Sequence, residues 1–364
     1  MHSMPDTQSV LFPSYTVGPE AYRELAAAIA PYGKRILLIG GEKAMQAGLD
    51  RFSAALGDRA EITGIRRFSG ECTVSKAQEL AQQARECSAE IIAGMGGGKA
   101  IDTAKACGHF AGLPVITLPT IAATCAAVTK LSVMYHEDGA FDRFLFLDTP
   151  PVRAFIHTGI IAAAPSAYLR AGMGDAIAKH FESDFSARED TLSYTDSLGL
   201  AIGRTCWEPL VEAGGQALAD CESGLDTPSL QTAVQCVILS TGLVSLLVKE
   251  CYNGALAHSL YYAMETVPEI GRCLHGDVVA FGVLVQLMMD GKRDTAYAVR
   301  GHLKRLKAPV TFAEMGLRFP FPGLPAILEE TLRQPDMAHL PYPVTPQMIK
   351  DAMAAVEALG NEQP

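Results

Sequence analysis

The sequence predicts two domains, an N-terminal α/β domain built on a parallel sheet and an all-helical C-terminal domain. Three observations carry that expectation. The chain has 364 residues, beyond the roughly 250–300 at which a single core usually stops growing. Short apolar runs alternate with helical patterns through the first part, the signature of β/α units joined in parallel. Beyond about Ala154 strand candidates vanish, and long segments rich in alanine and leucine take over. The expected division is 1–157 and 158–364.

The elements follow in order. "EAYRELAAAIAPYG" (Glu20 to Gly33) reads as helical, and "KRILLIGG" (Lys34 to Gly41) is an apolar run closed by glycines, hence a strand. "KAMQAGLDRFSAAL" and "SKAQELAQQAREC" are helical. "EIIAGMGGG" (Glu90 to Gly98) repeats the strand-then-glycine form, and "LPVITLPT" (Leu113 to Thr120) supplies a third strand. "TPPVRAFIHTGIIAAAP" is the expected crossover between domains. "SAYLRAGMGDAIAKHFESDFSA" (Ser166 to Ala187) then opens the helical part.

Composition narrows the function classes. The formal net charge is −10, and no Lys/Arg run is long enough to offset it across a phosphate backbone, so nucleic acid is not an expected partner. The apolar run Ala233 to Val248 is shorter than a membrane span and contains Gln235, which predicts a buried core helix and no membrane partner. "MHSMPDTQSV" lacks the charged start and apolar stretch of a signal peptide. Nine dispersed cysteines without a C-x-x-C pair read as reduced thiols. Together these predict a cytoplasmic protein.

Two stretches carry chemistry. In "IIAGMGGGKAIDTAKA" four glycines fall within five positions where a strand gives way to a helix. A Walker loop is excluded by Ala93 and Ala100, and the G-x-G-x-x-G fingerprint fails at Lys99. Without β-carbons, the N–H groups of Gly96, Gly97 and Gly98 can approach an anion closely, and the following helix adds its positive end. A pyrophosphate is the natural guest, with Lys99 neutralising a phosphate and Asp102 capping N–H groups or touching the ligand. A tight turn with nothing bound is the other reading.

The second feature is Asp175, inside an apolar helix between Gly172 and Gly174, where a carboxylate must be paired or bound to a cation. His258 in "ALAHSLYYA" and His275 in "CLHGD" stand apart from the other histidines. His2, His302 and His339 read as surface or loop residues, and His109, His136 and His157 as lying near strand ends. One carboxylate and two imidazoles make a three-ligand set with an open fourth position, as in catalytic zinc sites. A helix-stabilising role for Asp175 stays open on spacing alone.

Taken together, "GMGGGKAIDTAKA", "LPTIAATCAAVTKLSVMY", "AAAPSAYLRAGMGDAIAKHFE", "AHSLYYA" and "LHGDVVAFGVLVQL" resemble the iron-containing alcohol dehydrogenase superfamily, in its glycerol dehydrogenase branch near hydroxycarboxylate dehydrogenase. The resemblance implies a dehydroquinate synthase-like fold in which the α/β domain binds NAD or NADP and the helical domain holds one divalent metal. It implies Asp175, His258 and His275 as metal ligands acting in catalysis, with zinc favoured over iron or nickel. It places Gly96, Gly97, Gly98 and Lys99 on the phosphates and Thr120, Thr129, Leu131 and Tyr135 around the nicotinamide. It also implies a homo-oligomer acting on a small molecule.

Several positions depart from the family pattern. A further histidine of some members is Lys179 here, which implies three protein ligands, and His180 is left to packing. Another family histidine is Tyr261, which puts a proton relay in doubt. Cys125 stands where glycerol dehydrogenases carry an aspartate that handles substrate hydroxyls, and Lys130 follows five residues on. The lost carboxylate and added cation favour a small 2-oxo or 2-hydroxy acid as substrate, with glycerol as the alternative and a dehydroquinate synthase-type cyclising lyase more remote. Gly41 replaces the aspartate that binds the adenosine ribose in NAD-preferring members, leaving Lys43 for a 2′-phosphate or Glu42 for the ribose.

Overall fold

The computed structural model describes residues 9–361; His2 lies outside them. Among the described residues there are eight strands: β1 (Ser14–Gly18), β2 (Arg35–Gly41), β3 (Glu61–Phe68), β4 (Ile91–Gly96), β5 (Val115–Pro119), β6 (Leu131–Tyr135), β7 (Phe141–Phe146) and β8 (Arg153–His157). Six of them form one parallel sheet in the order β1-β8-β5-β4-β2-β3, and β6 and β7 form an antiparallel hairpin. The three strands expected from sequence are the sheet's central ones. Ile36–Gly40 and all of β4 and β5 are buried, as a parallel sheet covered on both faces requires.

The other strands escaped the sequence reading for local reasons. β3 is an edge strand whose Glu61, Arg66 and Arg67 break any apolar run; charge on an edge also deters pairing with other chains. β8 occupies part of the segment expected to be a mere crossover and is inserted between β1 and β5. Of the helix expected over Glu20 to Gly33, only α1 (Leu25–Ile29) forms. The helices α2 (Glu42–Leu56), α3 (Val74–Glu86) and α4 (Gly98–Ala111) complete the β/α part.

From Thr158 every element is helical: α5 (Thr158–Ala162), α6 (Ser166–Ala187), α7 (Tyr194–Gly203), α8 (Glu208–Glu222), α9 (Pro228–Gln235), α10 (Thr241–Leu247), α11 (Leu256–Met264), α12 (His275–Met289), α13 (Arg293–Arg305), α14 (Leu324–Arg333) and α15 (Pro346–Asn361). A π turn joins α9 to α10, so Pro228–Leu247 is one helical run long and apolar enough to cross a membrane, longer than the sequence reading allowed. It nevertheless lies inside the protein, with Leu230, Ala233, Val237, Ile238 and Val244 in the core. His302, expected at the surface, is buried in α13 against Trp207, and His109 sits in the last turn of α4, not at a strand end.

The largest apolar cluster unites the helices with Ile101, Ala122, Val128, Ala154 and Ile156 of the β/α part. Residues 120–129 are thereby fixed between the two halves. At the crossing of α6 and α12 the backbones nearly touch. A β-carbon on Gly276 would stand 1.8 Å from the Ala171 carbonyl oxygen, and one on Gly174 would stand 2.4 Å from that of Gly276. Only glycine permits that approach, and it sets Asp175 beside His275.

Candidate active site

Asp175 leaves α6 next to this glycine contact, His275 opens α12, and His258 lies in the first turn of α11. Asp175 Oδ1 is 3.4 Å from His258 Nε2 and 3.5 Å from His275 Nε2. One donor atom from each residue lies within 4.8 Å of the others. Two ligands about 2.0–2.1 Å from a tetrahedral ion are separated by about 3.3–3.5 Å, so the carboxylate-to-imidazole distances fit a shared cation. Asp175 and His258 are buried while His275 is partly exposed, which leaves one side of the set open. A bidentate Arg170–Asp277 pair, at 2.9 and 2.7 Å, ties α6 to α12 again beside the ligands.

The electrostatics favour a cation. Burial opposes the charged form of Asp175, yet hydrogen bonds to His258 and His275 and their charge hold its carboxyl well below the usual range. Burial likewise favours neutral His258, but Glu182 and Asp175 outweigh it and push the ring up to about 10. A metal ion must displace that proton, so uptake should release protons. The ring's value exceeds the ordinary 6.5, so its stabilisation is complete below pH 6.5 and lost as pH rises through about 10. Chelated protein should therefore show a falling Tm between pH 6.5 and 10, with a smaller fall after zinc is restored. Equal pH profiles for the two forms would refute this.

Tyr261 packs edge-on against His275, with ring centroids 4.3 Å apart, and donates its hydroxyl to Glu265. Burial, reinforced by Glu265, pushes the phenol up. Its hydroxyl is thereby committed to Glu265. Lys179 is buried with its Nζ 2.5 Å from the Asn253 carbonyl oxygen.

The glycine turn forms as expected. β4 ends at Gly96 with φ +152°, Gly97 caps α4, and α4 starts at Gly98. The strand order reverses between β2 and β4, a topological switch point whose carboxyl-end crevice is where open α/β sheets bind ligands. Gly41 ends β2 on the other side of that crevice, with open space where its side chain would be. Beside it Glu42 pairs with Arg67 at 3.6 Å, and Lys43 is exposed.

Two residues expected at the phosphates have charged partners within the protein. Lys99 Nζ is 2.6 Å from Glu71 Oε2 and lies 5.1 Å above the Tyr135 ring, so its charge is neutralised within the protein. Asp102 is buried and faces Lys105 at 2.8 Å, while its other oxygen accepts from Val133 N at 3.2 Å. No side-chain hydrogen bond caps α4. Lys105 Nζ also donates to Thr129 Oγ1 at 3.3 Å and to the Leu131 carbonyl. The sequence reading missed Glu71, Lys105 and Glu182. Spacing offered a clue for two of them, since Lys105 is one turn from Asp102 and Glu182 two turns from Asp175.

Residues 120–129 connect cradle and triad. Thr120 N donates to Gly96 O at 3.1 Å, a β-carbon on Gly97 would meet Ile121 at 2.7 Å, and one on Gly98 would meet Thr124 Oγ1 at 3.2 Å. On the other side, a β-carbon on Gly172 would stand 2.3 Å from the Ala122 carbonyl oxygen. Cys125 lies in this segment, where burial first and Asp175 second push its thiol up to about 11. A thiol held neutral is a poor nucleophile. The cations that act on Cys125 are Lys179 and Lys105, whereas Lys130 is exposed.

Residues 13–153 match the family described as iron-containing alcohol dehydrogenase. Over 354 residues the chain is 30% identical to a glycerol dehydrogenase of Pseudomonas putida, covering 95% of this chain and 96% of that one. This chain belongs to the iron-containing alcohol dehydrogenase family. It is also 32% identical over 329 residues to hydroxycarboxylate dehydrogenase A of Escherichia coli strain K12, covering 89% and 90%. The crystal structure of a probable glycerol dehydrogenase from Sinorhizobium meliloti 1021 superposes with a TM-score of 0.84 at 28% identity, covering 98% of this chain and 100% of that one. As a member of the iron-containing alcohol dehydrogenase family the protein is an oxidoreductase, and its fold is the one the resemblance implied.

Proposed function

We propose that this dehydrogenase interconverts a small vicinal polyol and its hydroxyketone, with glycerol and dihydroxyacetone as the reference pair, using NAD(P) and one divalent cation. The observation that carries the reading is the end-to-end likeness to glycerol dehydrogenases. The geometry agrees, because residues 120–129 touch the glycine turn on one side and the helix of Asp175 on the other.

In this reading the chain divides after His157 into a cofactor half and a metal half. Asp175, His258 and His275 hold the cation, with zinc favoured by the donor set. Gly41 and Gly96 to Gly98 bound the pyrophosphate crevice, and Thr120, Thr129, Leu131 and Tyr135 surround the nicotinamide. The cation supplies Lewis-acid polarisation of a substrate oxygen, and the nicotinamide supplies or takes the hydride. The residues themselves orient the two groups and exclude water: Tyr261 and Cys125 wall the site, and no side chain acts as a covalent nucleophile. The enzyme is read as a cytoplasmic homo-oligomer.

Cys125 favours a second reading, a 2-hydroxy acid substrate, because a neutral thiol does not repel a carboxylate. Oxidation of NADH and NADPH should be measured with dihydroxyacetone, 2-oxobutyrate and a simple aldehyde, after chelation and add-back of zinc, ferrous iron or nickel singly. Dihydroxyacetone is expected to give the highest kcat/KM, and activity to require the added metal. A higher kcat/KM for 2-oxobutyrate would replace the polyol reading with the second one, and full turnover in chelated protein would end both.

A further inference from the structure

The geometry points to Glu182 as a positioning residue that fixes the metal-binding tautomer of His258. The inference rests on the reading of Asp175, His258 and His275 as a metal centre. On α6, residues 175, 179, 182 and 186 share one face, at spacings of four, three and four. Three of them grip the turn that leads into α11. Lys179 Nζ donates to the Asn253 carbonyl, Ser186 Oγ to the Gly254 carbonyl at 3.1 Å, and Glu182 Oε1 accepts from Ala255 N at 2.8 Å and His258 N at 2.9 Å. The remaining Glu182 oxygen faces His258 Nδ1 within hydrogen-bonding reach. Glu182 is completely buried, so no water competes for these contacts.

An ionised carboxylate only accepts hydrogen bonds, so Nδ1 must carry the proton that faces Glu182. The lone pair is then left on Nε2, the atom directed at Asp175 Oδ1 and at the shared cation position. Carboxylates that bind the far side of a ligating imidazole set its tautomer and orientation, and their loss typically costs about 10–100-fold in metal affinity. One helix thus provides a ligand, Asp175, and the group that prepares a second ligand.

Glu182→Gln tests this with little change in shape. Its amide oxygen still serves the two backbone N–H groups, but its NH2 faces Nδ1 and selects the opposite tautomer, with the proton on Nε2. Zinc and cobalt(II) dissociation constants should be measured on folded protein by competition with a chelator, together with the visible spectrum of the cobalt form. Zinc affinity is expected to fall about 10–100-fold with an altered cobalt spectrum. Ser186→Ala loses a bond in the same turn without touching the ring. It should lower Tm while keeping zinc affinity within about twofold of the wild type, which separates ring control from mere support of the turn. Glu182→Asp keeps a carboxylate and should fall between wild type and Glu182→Gln; it serves alone if the glutamine variant does not fold.

Wild-type zinc affinity in the Glu182 variants would overturn the inference while leaving the metal centre intact. Folded wild-type protein that binds no stoichiometric zinc would overturn the metal centre, and this inference with it.

Discussion

Asp175→Asn should lower kcat/KM by about a thousandfold or more and strip the bound metal. Both imidazole Nε2 atoms converge on Asp175 Oδ1, at 3.4 and 3.5 Å. This carboxylate is the only anion of the three-ligand set, and its low proton affinity keeps it charged at any working pH. Asparagine keeps the shape but removes the charge that compensates a divalent cation in a buried site. Lewis-acid polarisation is worth several kcal/mol of transition-state stabilisation, and each 1.36 kcal/mol is about tenfold in rate. Metal content per subunit and steady-state NAD(P)H oxidation measure the two effects. Binding of NAD(P)H should persist, because the glycine turn lies in the other half. A variant with full metal content and near-normal turnover would remove Asp175 from the ligand set.

Lys105→Met should destabilise the fold by about 3–5 kcal/mol, the usual cost of leaving one partner of a buried ion pair alone. Lys105 has no exposed side-chain surface, and its Nζ sits 2.8 Å from buried Asp102. The same ammonium also satisfies Thr129 Oγ1 and the Leu131 carbonyl. Methionine fills the volume and abandons all three. Burial already holds the Asp102 carboxyl above its ordinary value although Lys105 pulls it down, so losing Lys105 will raise the variant's carboxyl further above its unfolded value. Its deficit should then be greatest near neutral pH and shrink as pH falls toward about 4. Urea unfolding at several pH values checks the sign, and adding Asp102→Asn should recover part of the loss. Loosening Thr129 and Leu131 should also raise the KM for the nicotinamide cofactor. A variant as stable as the wild type at pH 7 would mean that the pair does not stay ionised in the folded protein.

Much of this was legible before any coordinates. Apolar runs closed by glycines placed the central strands β2, β4 and β5 to within a few residues, and the unbroken helical pattern from Ser166 to Ala187 is α6 without change. β3 and the hairpin strands were not legible, because edge and surface strands mix charge and aromatic residues without a continuous apolar signal. A carboxylate in an apolar helix and two histidines set apart from the rest suggested the metal triad, and family resemblance then implied all three as ligands, since spacing alone left a helix-stabilising role for Asp175 open. Lys99 and Asp102 were given to the phosphates because lysine and aspartate beside a glycine turn invite it. Their partners were not visible.

The order of residues alone was enough to specify the β/α alternation, the glycine turn at a strand end and the apolar helix that carries a carboxylate. Each of these is written in neighbours one to seven positions apart, where burial periodicity and backbone freedom act. Which charges meet was settled by packing. Glu71 neutralises Lys99 from 28 residues away, Glu182 reaches His258 across 76, and the glycine contact of α6 with α12 brings Asp175 to His275 across 100. A helix crossing fixes such distances to a fraction of an ångström, and no local pattern in the chain encodes where two helices will cross.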